Sequence, residues 1–367
     1  MKAALVLLLG PLLTGGVTWL FFRRIRDAGP RGAGLRLVAG NLLVLLFLGS
    51  VALAVGEAYY RYDHDTTDSL SYSKTSQRWF TRHWKTNAAG FRDNVEYADS
   101  IQPGKRRITL IGDSFTAGHG VKDVEDRFAN RIRKAHPEWE VRLLAQSGWD
   151  TGNELEAVRT AISNREQMDQ VVLVYMLNDV ADILPVWDST WRRIMGDASR
   201  RPWLQKHSYL VDAMVHWIKL LREPEMRNYF DFVRDGYHGP IWQRQMQRLD
   251  SLRIAVNAAG GHLLVVTFPF LHALGPKYEY RFIHDELKEY WRERNVPELD
   301  LLGIYQDFPP GKLVVNRFDA HPNEFAHGLA AEAIGKFLEK EMSAGGAPPS
   351  PAATPRPRAP GAGVSTR

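Results

Sequence analysis

Two long apolar stretches open the chain, residues 3–22 and 37–56, and neither contains a charged side chain. Each matches the roughly 20 residues that a helix needs to cross the hydrocarbon core of a bilayer, so the pattern predicts two transmembrane helices. A cleaved signal peptide is the alternative for the first. Against it stand a basic head reduced to Lys2, a long apolar run and a second span directly behind.

From residue 107 the pattern changes. Short apolar runs at 108–112 (ITLIG), 141–145 (VRLLA), 171–177 (VVLVYML), 263–268 (LLVVTF) and 299–304 (LDLLGI) alternate with stretches of helical periodicity. Such alternation marks strand-helix-strand units around a parallel sheet. It predicts an α/β domain over residues 107–342, with a central five-stranded parallel sheet and helices on both faces.

The segment 182–239 interrupts this rhythm. It is too long for a simple connection and carries Trp187, Trp191, Trp203, Trp217, Tyr229, Phe230, Phe232 and Tyr237. We read it as an insertion with helices of its own, 209–221 (YLVDAMVHWIKLL) being one, since its apolar positions recur at helical spacing. It serves either as an extension of the core or as a lid that faces substrate or leans on a membrane.

Residues 58–106 read as a linker and N-terminal extension, in which TNAAGFRDN (86–94) suggests a turn packed on the domain. Asn323 is placed to cap a last helix at 324–342. The remaining 343–367 are rich in Pro, Ala and Gly, and disorder is expected there.

Charge refines the topology. The net charge is +5, but Arg23, Arg24, Arg26, Arg31 and Arg36 fall between the two apolar stretches, and Arg356, Arg358 and Arg367 fall in the tail. The excess is therefore not the aromatic-interleaved patch of a nucleic-acid interface, and no nucleic-acid partner is expected. Because Lys and Arg accumulate in cytoplasmic loops, everything after residue 56 is expected outside the cytoplasm, in the periplasm if the source is a diderm bacterium. The chain has no cysteine, which excludes disulfides and thiol chemistry.

Four polar clusters follow the apolar runs. In IGDSFTAGHG (111–120), Ser114 stands where a strand gives way to a helix, an exposed position at which nearby backbone N–H groups can meet an oxyanion. Neither a P-loop, which ends in Gly-Lys-Ser/Thr, nor the G-x-S-x-G elbow fits, since residue 116 is Thr. Gly148, after the second run, lets backbone approach a reacting atom. Asn178, after the third, offers an amide donor, although such a residue is also an ordinary helix cap. In RFDAHPN (317–323), His321 can take a proton from a serine hydroxyl if a carboxylate holds its other nitrogen, and Asp319 lies two residues away to do so. Metal binding is the competing use of this pair, but no third and fourth ligand lies nearby in sequence. His119 reads as a loop residue, and His327 as one that faces outward or packs on the last helix.

In these blocks, GDSFTAG and DAHPN above all, the chain resembles the SGNH hydrolases, the GDSL lipase/esterase superfamily. The resemblance covers about 107–342 and implies a flavodoxin-like three-layer α/β/α sandwich. It implies Ser114 as nucleophile, His321 as general base and Asp319 as its orienting acid, with an oxyanion hole from the Ser114 N–H, the Gly148 N–H and the Asn178 side chain. Two departures stand out. Asp319 precedes His321 by two residues where the family often has three, a spacing similar to that of polysaccharide O-acetylation proteins, and Leu177 replaces the usual Gly before Asn178. TNAAGFRD also resembles a segment ahead of the first block in membrane-anchored bacterial members. The implied activity is that of a membrane-anchored extracytoplasmic serine esterase, acting on acylated glycans, lipids or small esters without metal or organic cofactor. The alternatives are an O-acyltransferase that modifies an envelope polysaccharide with the help of an acyl-donor partner, and a non-enzymatic glycan-binding or scaffold protein built on the Trp-rich insertion.

Overall fold

The computed structural model describes residues 2–27, 29–185, 192, 195, 196, 200–222 and 229–344. Trp187, Trp191 and the tail from 345 onward lie outside them.

Helices α1 (Lys2–Ile25) and α2 (Ala33–Ala58) pack against each other. Small and hydroxylic residues make the seam: Thr14 Oγ1 lies 2.8 Å from Ser50 Oγ, and Thr18 Oγ1 donates to the Leu43 carbonyl at 3.2 Å. Such residues let apolar helices approach closely where the surroundings supply no hydrophobic drive. Among the described residues one helix, Ala33–Asp63, is long and apolar enough to cross a membrane. The expected pair of spans is thus supported for one member among the described residues.

The stretch read as a linker is built into the domain. Helix α3 (Lys74–His83) buries Trp79 completely. The GFRD turn follows it, and the Arg92 guanidinium lies over the Trp79 and Trp84 rings at 5.4 and 5.0 Å. Arg92 donates to the carbonyls of Ala117, Gly118 and Val121, and so braces the loop that follows Ser114.

The sheet is parallel throughout, in the order β2-β1-β3-β4-β5, with β1 at Arg106–Gly112, β2 at Trp139–Ala145, β3 at Gln170–Met176, β4 at His262–Phe268 and β5 at Glu298–Asp300. Every residue of β3 is buried, as expected of a parallel strand covered on both faces, and this is why the strands read as unbroken apolar runs. Helices α4 (Ser114–Ala117), α5 (Phe128–Ala135) and α6 (Thr151–Ser163) follow the first strands. The insertion contributes α7 (Tyr209–Arg222) and leads into α8 (Gly239–Ala258), which packs on α6. The closing helix α9 (Glu324–Ala344) packs on α5, with Asn323 Oδ1 accepting from the Ala326 N–H at 3.0 Å.

The fifth apolar run is a strand only at its start. Asp300 Oδ1 accepts from the Leu302 N–H at 2.8 Å and turns the chain into a short helix, Leu302–Tyr305. The run 299–304 is thus half strand and half helix.

Candidate functional site

Ser114 is delivered by β1. In register, Gly112 lies between Ala145 of β2 and Val174 of β3, and a Cβ on Gly112 would stand 2.9 Å from the Val174 carbonyl oxygen, with Thr116 nearer still. Only glycine fits there. Asp113 then caps α4 by accepting from the Phe115 N–H at 2.8 Å, so Ser114 occupies the first helical position, at the carboxyl edge of the sheet. Its backbone N–H has no carbonyl partner within the helix.

Asp319 and His321 sit on β7 (Asp319–Pro322), which pairs antiparallel with β6 (Val314–Asn316). Alternate residues of a strand share a face, so a two-residue spacing aims both side chains the same way. His321 Nδ1 lies 2.5 Å from Asp319 Oδ1, and His321 Nε2 lies 2.8 Å from Ser114 Oγ. With its Nδ1 proton given to the carboxylate, the imidazole presents Nε2 as an acceptor to the serine hydroxyl. Asp113 Oδ2, at 3.2 Å, is the other acceptor in reach of that hydroxyl.

Two residues that sequence reasoning missed complete the surroundings of Asp319. Thr67 donates its hydroxyl to Asp319 Oδ2, and His119 Nε2 lies 3.4 Å from the same oxygen. His119 is fully buried and stacks on His321, the ring centroids 3.9 Å apart. Its Nε2 faces two pure acceptors, the Asp319 carboxylate and the Asp68 carbonyl at 3.2 Å, while Nδ1 lies 3.1 Å from the Ser147 hydroxyl. The partners therefore assign the proton to Nε2. His119 lies in the turn after α4, as expected of a loop residue, yet it is buried and part of the cluster. Nothing local in GHG distinguishes it, and Thr67 is separated from Asp319 by 252 positions. His327 is buried as well, stacked on Phe128, with Nδ1 accepting from the Phe128 N–H at 3.3 Å.

Electrostatics follow from these partners. Burial would raise the Asp319 carboxyl, but its imidazole partners His321 and His119 outweigh it and hold the group well below the ordinary carboxylate range. Burial, and next the charge of His321, pull His119 down, which keeps it neutral. On the other side of Ser114 the carboxyls of Asp113, Glu154 and Asp179 are also buried. Burial pushes Asp113 up to about 6. Burial first, and then the carboxyl of Asp113 beside Glu154 and that of Glu154 beside Asp179, push both groups well above the usual range.

Gly148 (φ +85°) and Asn178 line, with Ser114, Asp319 and His321, a cavity of about 1300 Å³ walled by Phe80, Phe115, Trp149, Tyr229 and Phe230. A Cβ on Gly148 would meet nothing within 4 Å, so its glycine serves the left-handed backbone. The Asn178 amide hydrogen-bonds the Tyr229 hydroxyl.

His119 also alters the metal question, since it supplies a third ligand-type side chain: the ligand atoms of His119, Asp319 and His321 lie within 4.8 Å of one another. His321 Nδ1 and Asp319 Oδ1 are, however, already joined in a hydrogen bond at 2.5 Å. This donor set fits a proton relay better than a metal.

No family model matches the chain, and no curated protein matches it. Among solved structures it is similar to a lipolytic G-D-S-L protein from Veillonella parvula, at 13% identity and TM-score 0.40 over 64% of this chain and 99% of that one. It is similar to the psychrotrophic esterase EstA from Pseudoalteromonas, at 14% identity and TM-score 0.40 over 65% and 100%. A third is the lipase/acylhydrolase from Enterococcus faecalis, at 14% identity and TM-score 0.39 over 64% and 96%.

Proposed function

We propose that the chain is a membrane-anchored serine esterase that cleaves carboxylic esters through an acyl-serine intermediate, with its catalytic domain outside the cytoplasm. One observation carries the reading: the unbroken hydrogen-bonded series Ser114, His321, Asp319, at 2.8 and 2.5 Å, opening into a large, largely apolar cavity. In this reading His321 Nε2 takes the Ser114 proton as Oγ attacks the ester carbonyl. Asp319 stabilises the imidazolium that results, and the Ser114 N–H, the Gly148 N–H and the Asn178 amide receive the oxyanion. His321 then protonates the departing alcohol, and water releases the acid by the same steps in reverse order.

The membrane part of the proposal rests on Ala33–Asp63, on the uncharged run 3–22 packed beside it, and on the arginines between them. A reporter fused after Met342 should be active only outside the cytoplasm.

Purified full-length protein and its Ser114→Ala variant, compared on short- and long-chain p-nitrophenyl esters, test the chemistry. Serine-dependent release supports the esterase. An O-acyltransferase would share every step up to the acyl-serine, and the Asp-x-His spacing favours keeping it as the second reading. Turnover only on addition of a polysaccharide acceptor would select it. Absence of both activities from folded protein would leave the glycan-binding reading.

A further inference from the structure

Helix α7 is inside out. Polar Asp212 and His216 face the domain, 1% and 8% exposed, while Met214, Trp217, Ile218 and Leu221 are 51%, 51%, 41% and 60% exposed, with Arg222 exposed at the helix end. Those four positions follow i, i+3, i+4, i+7, one continuous stripe of a helix, which in a water-soluble domain turns inward. The orientation is fixed from the polar side. Asp212 accepts from the Lys74 N–H at 2.6 Å and from Gln205 Nε2 at 3.0 Å, and His216 stacks on Tyr72 at 5.2 Å. The short helix before it extends the apolar surface with Trp203 and Leu204, 72% and 55% exposed.

The start of α7 is tied to the end of α2. Glu57 accepts from Ser208 Oγ at 2.6 Å, the Tyr209 N–H at 3.0 Å and the Leu210 N–H at 2.9 Å. Three cations, Arg61, Lys74 and Arg78, gather over the Tyr209 ring at 5.0, 4.9 and 5.1 Å. An apolar stripe that continues from an apolar helix, with basic groups at the joint, has the composition of an interfacial membrane helix.

We propose that α7 lies in the interface of the lipid bilayer, with Met214, Trp217, Ile218 and Leu221 in the acyl boundary and the Arg61, Lys74 and Arg78 cluster at the headgroups. This rests on the reading of α2 as a membrane anchor. Leu220 of the same helix lines the cavity, so a seated α7 is the wall between Ser114 and the lipid.

The absence of native cysteine permits a direct test on the full chain. Met214→Cys, Trp217→Cys, Ile218→Cys and Leu221→Cys, made one at a time and nitroxide-labelled, are reconstituted in vesicles of phosphatidylcholine with a minority of phosphatidylglycerol. Collision with oxygen and with a water-soluble nickel chelate is then measured. Leu45→Cys in α2 and Glu332→Cys on the exposed side of α9 are the references. The proposal expects all four α7 labels to show an oxygen-to-nickel ratio several-fold above that of Glu332→Cys. Labels as nickel-accessible as Glu332→Cys, with Leu45→Cys in lipid, overturn it and leave the anchor standing. Labels shielded from both quenchers also overturn it, because protein would then cover the stripe. A water-exposed Leu45→Cys brings down the anchor reading itself.

Discussion

Ser114 stands between two groups of buried carboxyls that ionise in opposite senses. On one side Asp319 is 1% exposed and charged; on the other Asp113, Glu154 and Asp179, 1%, 0% and 1% exposed, are pushed toward their neutral forms. Burial is the same for all four and by itself favours the acid. The difference is in the donors. Asp319 receives Thr67, His321 and His119, whereas both Glu154 oxygens and Asp179 Oδ1 lack a partner among the described residues. The fold thus holds Asp319 charged through its donors and leaves Glu154 and Asp179, which lack them, protonated, while Asp113, which accepts from the Phe115 N–H, lies between the two at about 6.

Removing the proposed nucleophile is the severest challenge to this arrangement. Ser114→Ala should lower esterase turnover by about 10⁴-fold or more without altering the cavity, read as kcat on a p-nitrophenyl ester. Asp319→Asn keeps the shape and removes the charge. It should cost roughly 10²- to 10⁴-fold, because the amide can donate to Nδ1 and favour the wrong tautomer. An undiminished kcat there would mean that the paired carboxylate is not what orients His321.

The donors to Asp319 come next. Thr67→Val removes a hydrogen bond to a charged group, an interaction of about 1.5–3 kcal/mol. The carboxylate, with less of its charge shared with Thr67, then stabilises the protonated base more strongly, so the acid limb of the kcat/KM profile should shift to higher pH. Thr67→Ser should restore the limb, which a merely structural threonine would not require.

The smallest effect concerns Glu154 and is one of stability. Its folded pKa lies above the unfolded one, near 4.5, so both states hold the proton below that value. Above it the unfolded chain releases the proton first, and stability falls as pH rises toward the folded pKa. Asp319 has the opposite sign: its stabilisation is present above the unfolded value and lost as pH falls through its depressed folded pKa. Glu154→Gln should therefore flatten the decline of melting temperature between pH 5 and 8, by about 1 kcal/mol at the upper end, and leave activity within about twofold.

The parts of this site that were legible in the sequence are those whose neighbours are local. β1 to β4 announce themselves because both faces are buried, and Ser114, Asp319 and His321 lie in short blocks whose spacing matches the chemistry. Thr67 and His119 join Asp319 only through space, so no local pattern marks them. The fifth run, 299–304, was over-read because apolar content says nothing of the Asp300 side chain that turns the chain at Leu302. Helix α7 shows a different blindness. Helical periodicity fixes the stripe Met214, Trp217, Ile218, Leu221, yet the same period results whichever side faces the domain.

The hydrogen bond between Thr67 and Asp319 also bears on how the molecule comes into being. It joins positions 252 apart, and the contact between Ser114 and His321 joins positions 207 apart. Contacts of such sequence separation form late, because a long loop must close before they return any energy. During synthesis β1 and the Ser114 that follows it emerge long before β7. A ribosome-bound or C-terminally clipped chain would hold the serine and much of the cavity but no base. Hydrolysis would then begin only when the last segment of the domain has folded back onto the first, so the appearance of activity would time the completion of folding.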